Sequence, residues 1–349
     1  MRLSVKAPLV SVIVPNYQHE DFLRERLDSI FDQEFQDFEL ILMDDCSSDG
    51  SVRILEEYAS KRPGTRLVLN EENSGSPFKQ WMKGASMAQG KYLWIAESDD
   101  IALPGLLKRN VEMMTEHPKA VISFCQSIFV NERSEELYSF GENYRFVYKT
   151  DRWDADFVGD GKEECRNYML LHNSIPNASA TLIQKEAFER CGGPPLDWKL
   201  NGDWLFYCKL LQHGDIAYSA EPLNRFRKHQ KTQRQRANAN ARAYFEILDI
   251  VAFIDAHCSP EAEKRKRAFH NYSNWWIGSL FRQKRNLRYL KDNGTLYRRF
   301  RKERSYLLAR IVYTAVLSSL IQLLDWLKIK PALKKIRKAL FPGKYFEHE

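Results

Sequence analysis

Lys91-Tyr92-Leu93-Trp94-Ile95-Ala96-Glu97-Ser98-Asp99-Asp100 is the stretch on which the reading of this chain turns. A nearly continuous apolar run predicts a strand buried on both faces, as in a parallel sheet. Here it ends abruptly in three carboxylates within four positions. The same grammar occurs upstream, where Phe38 to Met43 runs into Asp44-Asp45 and Leu9 to Val14 is stopped by Pro15. Between these runs, Glu20 to Gln33 places Phe22, Leu23, Leu27, Ile30 and Phe31 at helical spacing. Ser51 to Ala59 and Trp81 to Ala88 also read as helices, and Thr65 to Leu69 as a further strand. Strands alternating with helices predict an α/β fold whose central sheet is mostly parallel. In such sheets ligands bind beyond the carboxyl ends of the strands. Both acidic clusters fall at that edge, where they repel each other unless a cation or a hydrogen-bonding ligand joins them.

Beyond Val121 the pattern dissolves into short strands and loops. It sharpens at Asn201-Gly202-Asp203-Trp204, followed by an amphipathic stretch from Leu205 to Leu211. Pro222 to Gln235 reads as a basic loop or strand and Ala237 to Phe253 as a helix, which sets a boundary near Gln235. A length of 349 residues agrees with about two units. The net charge of +7 conceals a split. From Ser259 onward about 22 lysines and arginines face 7 acids, so the earlier part of the chain is net acidic. A basic end of this kind points to an anionic partner, nucleic acid or a membrane surface. The six cysteines are widely spaced with no C-x-x-C pair, which argues against a zinc site and against a disulfide-stapled fold. No apolar leader precedes the first strand, so cytoplasmic synthesis and retention are expected.

The ordered series Val12-Ile13-Val14-Pro15-Asn16-Tyr17, Met43 to Asp49, Asn73-Ser74-Gly75, Trp94 to Asp100, then Gly202-Asp203-Trp204 with Arg227-Lys228-His229, resembles glycosyltransferase family 2. The resemblance runs from about Pro8 to Thr232. It implies a GT-A fold, a Rossmann-like mostly parallel sheet flanked by helices, here with a C-terminal helical extension. It also implies a catalytic domain over residues 8–235, with a nucleotide-sugar-binding half (8–120) and an acceptor-binding half (121–235), followed by a basic helical region (236–349). Two departures stand out. Glu97 replaces the usual first Asp of the acidic motif, and Phe78 to Gly84 replaces the usual A-R-N-x-G.

The chemistry fits these residue types. A leaving nucleoside diphosphate needs its charge neutralised, and a hard divalent cation, Mg²⁺ or Mn²⁺, held by one or two carboxylates meets that need. By resemblance Asp99 is the metal ligand, with Asp100 and Glu97 on ribose, sugar or water beside it. Alone, the tetrapeptide reads equally as an acidic turn capping a helix. Asp45 can accept the imide N–H of a base such as uracil, or cap the following helix. Pro15 and Tyr17 match the nucleoside-contacting segment, or form a plain turn. Lys79 is the candidate cation for the donor. Asp203 resembles the catalytic base that takes the acceptor hydroxyl's proton in an inverting displacement, and it could also cap its helix. His229 can complete the metal's coordination and Arg227 can reach diphosphate oxygens, although a lone histidine is more often structural.

In the tail, the longest uncharged run, Ile311 to Leu324, is too short to span a bilayer, which needs ~20 apolar residues. Its broad apolar face beside the basic cluster from Lys328 to Lys338 fits a helix lying in an anionic membrane interface, or one packed on the catalytic domain. Many relatives act on lipid-linked acceptors at the cytoplasmic face. The sequence therefore predicts a peripheral enzyme taking a sugar nucleotide, UDP-sugar above others, to a glycan or lipid-linked acceptor in cell-envelope polysaccharide synthesis. A catalytically dead sugar-nucleotide-binding scaffold is the alternative. Nucleic-acid binding is disfavoured, since phosphate binding needs no acidic crevice.

Overall fold

The computed structural model describes residues 7–228, 241–282 and 290–326. His229 and the basic cluster from Lys328 to Lys338 lie outside the described residues. The chain divides into two compact units at residue 232, with residues 253–259 joining the first.

The first unit begins with β1 (Val10–Asn16), β2 (Phe38–Asp44), β3 (Arg66–Leu69) and β4 (Tyr92–Ile95), linked by α1 (Glu20–Phe31), α2 (Ser51–Lys61) and α3 (Pro77–Met87). β1 pairs in parallel with β2 on one side and β4 on the other, and β2 pairs in parallel with β3. Every residue of β1 is buried, as the apolar run requires of a strand covered on both faces. α3 starts at Pro77, four residues before the expected Trp81, because proline's fixed φ suits the first helical position.

Next come β5 (Ile101–Ala102), α4 (Leu106–Glu116), β6 (Ala120–Val130), β7 (Glu136–Ser139), α5 (Phe140–Tyr148), β8 (Phe157–Gly159) and α6 (Gly161–Glu164). A single 3₁₀ turn, Ala178–Ala180, leads into β9 (Thr181–Gln184), followed by α7 (Lys185–Arg190), α8 (Gly202–Leu210) and β10 (Asp215–Arg227). All the strands join one sheet in the order β3-β2-β1-β4-β9-β6-β10-β5, with β7 on β6 and β8 on β10. The four-residue β9 is antiparallel to both β4 and β6, and it splices the parallel strands β1–β4 to the parallel pair β6–β10. The fold is therefore α/β with a mostly parallel sheet. Its strand order reverses between β1 and β4, where a crevice forms at the carboxyl ends.

Two local expectations are corrected. α8 is not amphipathic: Gly202, Trp204 to Cys208 and Leu210 are all buried, so the helix runs through the core rather than over it. The segment from Pro222 continues a strand that starts at Asp215; register shifts on either side of Pro222 let the ladder accept a residue with no N–H to donate.

The second unit is helical among its described residues. α9 (Arg242–Cys258) straddles the two units, and α10 (Ala262–Arg282), α11 (Leu290–Glu303) and α12 (Leu307–Trp326) follow. Trp276 stacks on Phe300 with ring centres 5.5 Å apart and donates from Nε1 to Asn293 Oδ1 at 3.0 Å. Arg304, in the turn between α11 and α12, donates to Ser273 Oγ (2.6 Å) and Asn274 Oδ1 (3.0 Å), fastening that turn to α10. α12 exposes Leu308, Val312, Tyr313 and Val316. No described helix is long and apolar enough to cross a membrane.

Candidate functional site

The crevice at the carboxyl ends of β1, β2 and β4 holds both acidic clusters, and the two are built differently. In the first, Asp44 Oδ1 accepts from Asn16 Nδ2 (2.8 Å) and Ser47 Oγ (2.7 Å), and Oδ2 accepts from the Ser47 backbone N–H (2.7 Å). Asp44 thus clasps the end of β1 to the turn after β2. Asp45, its neighbour, faces the loop before α3. Its Oδ1 accepts from Asn70 Nδ2 (2.7 Å), the Ser74 N–H (2.9 Å) and Gln80 Nε2 (2.9 Å), and its Oδ2 accepts from Ser74 Oγ (2.8 Å). Oδ2 keeps lone-pair capacity for one further donor. Pro15 is buried at the crevice floor, while Tyr17 stands at its rim, 44% exposed. Lys79 is exposed on the first turn of α3 and donates to the Ser74 carbonyl at 3.1 Å.

The second cluster is crowded. Glu97 Oε1 accepts from Trp81 Nε1 at 2.7 Å, and the Glu97 N–H donates to Ser179 Oγ at 3.2 Å. Burial and the neighbouring Asp99 and Asp100 charges push the Glu97 carboxyl up to about 8. Asp100 is raised as well, by burial first and then by Asp99. Its Oδ1 accepts the Arg227 N–H at 3.0 Å, and its buried Oδ2 finds no hydrogen-bond partner among the described residues. Asp99 and Glu97 are both only partly buried, whereas Asp100 is fully buried. His19 Nδ1 lies 2.8 Å from Ser98 Oγ, tying the turn to the loop after β1.

Asp203 occupies the first turn of α8, half-buried. One turn on, the buried Tyr207 feels the charges of both Asp203 and Glu97, so the two acids flank one side chain. Gly202 permits this approach. A Cβ there would sit well inside contact distance of the Phe78 ring, so only glycine lets α8 begin against α3.

Two expected donor contacts are turned inward. Arg227 is buried, with Nε on the Asp99 carbonyl (2.8 Å), Nη1 on Asn131 O (3.1 Å) and Ser134 Oγ (3.0 Å), and Nη2 on Glu25 Oε2 (2.6 Å). It clamps the acidic turn to β10 and α1 instead of reaching for a diphosphate. Asp100, also buried, braces the turn from below instead of presenting itself to a ribose.

The residues that the sequence reading missed share a signature. Gln80 and Trp81 come from the segment that departs from the usual pattern, and each donates to one of the acidic clusters. Arg26 and Ser29 of α1 and Gln33 just past its end, at i, i+3 and i+7, form a polar stripe. Ser29 Oγ accepts the Ala102 N–H (3.2 Å), and Gln33 accepts the Leu107 N–H (2.9 Å) while donating to Leu103 O (2.9 Å). A polar stripe beside an apolar one is visible in the sequence, but its partner is not.

The donor set suits a hard divalent cation: carboxylate oxygens, one of them buried without a hydrogen-bond partner, in a turn whose acids repel. Among the described residues no group of three or more potential ligand side chains is preassembled for a metal. A cavity of about 530 Å³ opens at the opposite, amino ends of β1 and β4, lined by Leu9, Lys91 and Gln184 among others, and contains none of these groups.

Comparison with known proteins places this geometry. The profile of Glycosyl transferase family 2 matches residues 11–190, more than half of the chain. The putative teichuronic acid biosynthesis glycosyltransferase TuaG of Bacillus subtilis is 38% identical over 109 residues, covering 31% of this chain and 43% of that protein. The chain thus spans less than half the length of that relative. Among solved structures, Staphylococcus aureus TarS 1–349 in complex with UDP-GlcNAc superposes with a TM-score of 0.65 at 19% identity, over 97% of this chain and 93% of that one. A mannosyltransferase of Pyrobaculum calidifontis, solved with GDP-Man and Mn²⁺, gives a TM-score of 0.50 at 16% identity, over 90% of this chain and 88% of that one.

Proposed function

The chain belongs to glycosyl transferase family 2, and from that premise we propose that it transfers a sugar from a UDP-sugar, with inversion, to a glycan or lipid-linked acceptor of a cell-envelope polysaccharide. The observation that carries the reading is the meeting of Asp45, the acidic turn and the start of α8 in one crevice. Asp45 Oδ2, with a lone pair to spare, suits the imide N–H of a uracil, and the exposed Tyr17 ring can cover the base. Lys79, on the crevice rim, suits a phosphate oxygen. The UDP-GlcNAc bound by the structurally similar TarS supports the nucleotide, and the name of TuaG supports the product class.

Asp99, with Glu97 beside it, would hold a divalent cation, Mg²⁺ or Mn²⁺, which when bound supplies charge neutralisation to the leaving diphosphate. His229 remains a candidate further ligand from outside the described residues. Asp203 would take the proton from the acceptor hydroxyl as that oxygen attacks the anomeric carbon and the bond to the diphosphate breaks. Asp203→Asn should abolish transfer while leaving UDP binding within about threefold of wild type. Normal transfer by that variant would place the base elsewhere. Loss of transfer by wild type across a panel of nucleotide sugars with Mn²⁺ or Mg²⁺ would favour a catalytically dead sugar-nucleotide-binding scaffold.

For the second unit we propose contact with an anionic membrane surface at the cytoplasmic face. The exposed Leu308, Val312, Tyr313 and Val316 of α12 and the basic residues Arg298, Arg299, Arg301 and Lys302 of α11 supply an apolar face and a cationic one. Removing residues 305–349 should release the protein from vesicles containing phosphatidylglycerol. Unchanged co-flotation would sink this reading.

A further inference from the structure

The deepest charge in the molecule is a guanidinium. Arg26, on the inner face of α1, has no exposed surface at all, and its Nε, Nη1 and Nη2 find no hydrogen-bond partner among the described residues. Its guanidinium carbon lies 5.0 Å from the centre of the Trp94 ring, the last aromatic residue before the acidic turn. A buried arginine usually forms a fork of hydrogen bonds to one carboxylate. This one is instead held in the field of three: Asp100 most strongly, then Asp99 and Glu97. Burial lowers it only to about 10, so it stays charged at neutral pH. The Oδ2 of Asp100, the acid it feels most, is the buried oxygen with no hydrogen-bond partner among the described residues.

The neighbouring contacts show why the charge sits there. Ser29 of α1 and Gln33 just past its end, on the same stripe, bond the backbone of residues 102–107, so α1 and the turn that closes it are fastened along the segment that leaves the acidic turn. Arg26 is the member of that stripe level with the turn itself. Only when all three carboxyls are ionised does one guanidinium leave two negative charges, the number a single divalent cation cancels, and a bound cation would itself favour that ionised state.

We propose that Arg26 is the internal counter-ion of the acidic turn, a positioning residue that holds Glu97, Asp99 and Asp100 together before a cation arrives and restrains how tightly they bind one. The second clause rests on the metal reading given above; the first does not. A fixed positive charge under the site weakens cation binding, yet without it the ionised acids of the metal-free turn lose the countercharge beneath them.

The test is a double-mutant cycle in urea with EDTA, using Arg26→Met, Asp100→Asn and the pair, together with Mn²⁺ titrations of each protein in saturating UDP followed by the paramagnetic signal of free Mn²⁺. Arg26→Met should lower the denaturation midpoint of the metal-free protein, and adding Asp100→Asn should restore at least half of the loss. Arg26→Met should bind Mn²⁺ about tenfold more tightly than wild type, with Arg26→Lys returning to within threefold. Additive effects in the cycle, with Mn²⁺ affinity unchanged by Arg26→Met, would reduce Arg26 to a packing residue on Trp94 while leaving the metal reading intact. Coupling in the cycle with no Mn²⁺ bound by any variant would uphold the counter-ion and overturn the metal reading.

Discussion

The two acidic clusters of the crevice carry similar sequences and opposite physics. Asp44 and Asp45 are surrounded by neutral donors, with seven hydrogen bonds of 2.7–2.9 Å from Asn16, Ser47, Asn70, Ser74 and Gln80. Glu97 and Asp100 are raised by burial and by the neighbouring Asp99 charge, and the turn is balanced from below by a buried arginine. The first cluster is held by neutral protein donors that fix loops in place, with one Asp45 oxygen keeping room for a further donor. The second carries an excess of negative charge that the protein does not fully offset, which is the condition for binding a cation. Proximity of acids in a sequence therefore says little; what surrounds each carboxylate decides whether it clasps or waits.

The comparison can be broken most sharply by removing one acid from each side. Asp99→Ala should cut transfer by about a thousandfold, the several kcal/mol of charge stabilisation a bound metal supplies, while leaving the metal-free protein as stable as wild type or more so. Asp44→Ala should do the reverse in kind. Its loss orphans Asn16 Nδ2 and the Ser47 donors in a buried clasp and should cost about 2–4 kcal/mol in urea denaturation. If Asp99→Ala is the more destabilising of the two, the distinction fails.

A smaller effect sharpens it through pH. Glu97 titrates near 8 in the folded chain, above its ordinary 4.5. The folded state therefore keeps a proton that the unfolded chain has released, and the associated stability is full below about pH 4.5 and lost as pH rises through about 8. Metal-free protein should weaken between pH 5 and 8 in a urea series, and Glu97→Gln should flatten that slope. Stability that rises over the same window would contradict the crowding described for the second cluster.

Much of this was legible in the chain itself. The runs ending at Val14, Met43 and Ala96 read as buried parallel strands because their periodicity is local. The acids after them marked the binding edge for the same reason. β9 was not legible: four residues, Thr181–Gln184, find their partners in β4 and β6 only through long-range pairing. Arg227 misled because its motif position says nothing of burial, and α8 misled because a helix buried on nearly every side has no stripe to read. Arg26 was hidden by the opposite effect, a charge on a helix face where charge is ordinarily solvated.

The close seat of Gly202 against the Phe78 ring has a consequence for how this sequence can vary. Residue 78 lies in the first turn of α3, and residue 202 precedes the candidate base, so the two positions cannot drift independently. Any side chain at 202 demands a smaller residue at 78 first, which makes glycine the later of the two to change. Among descendants of this chain, a bulky ring at 78 and a glycine at 202 should be inherited as a pair.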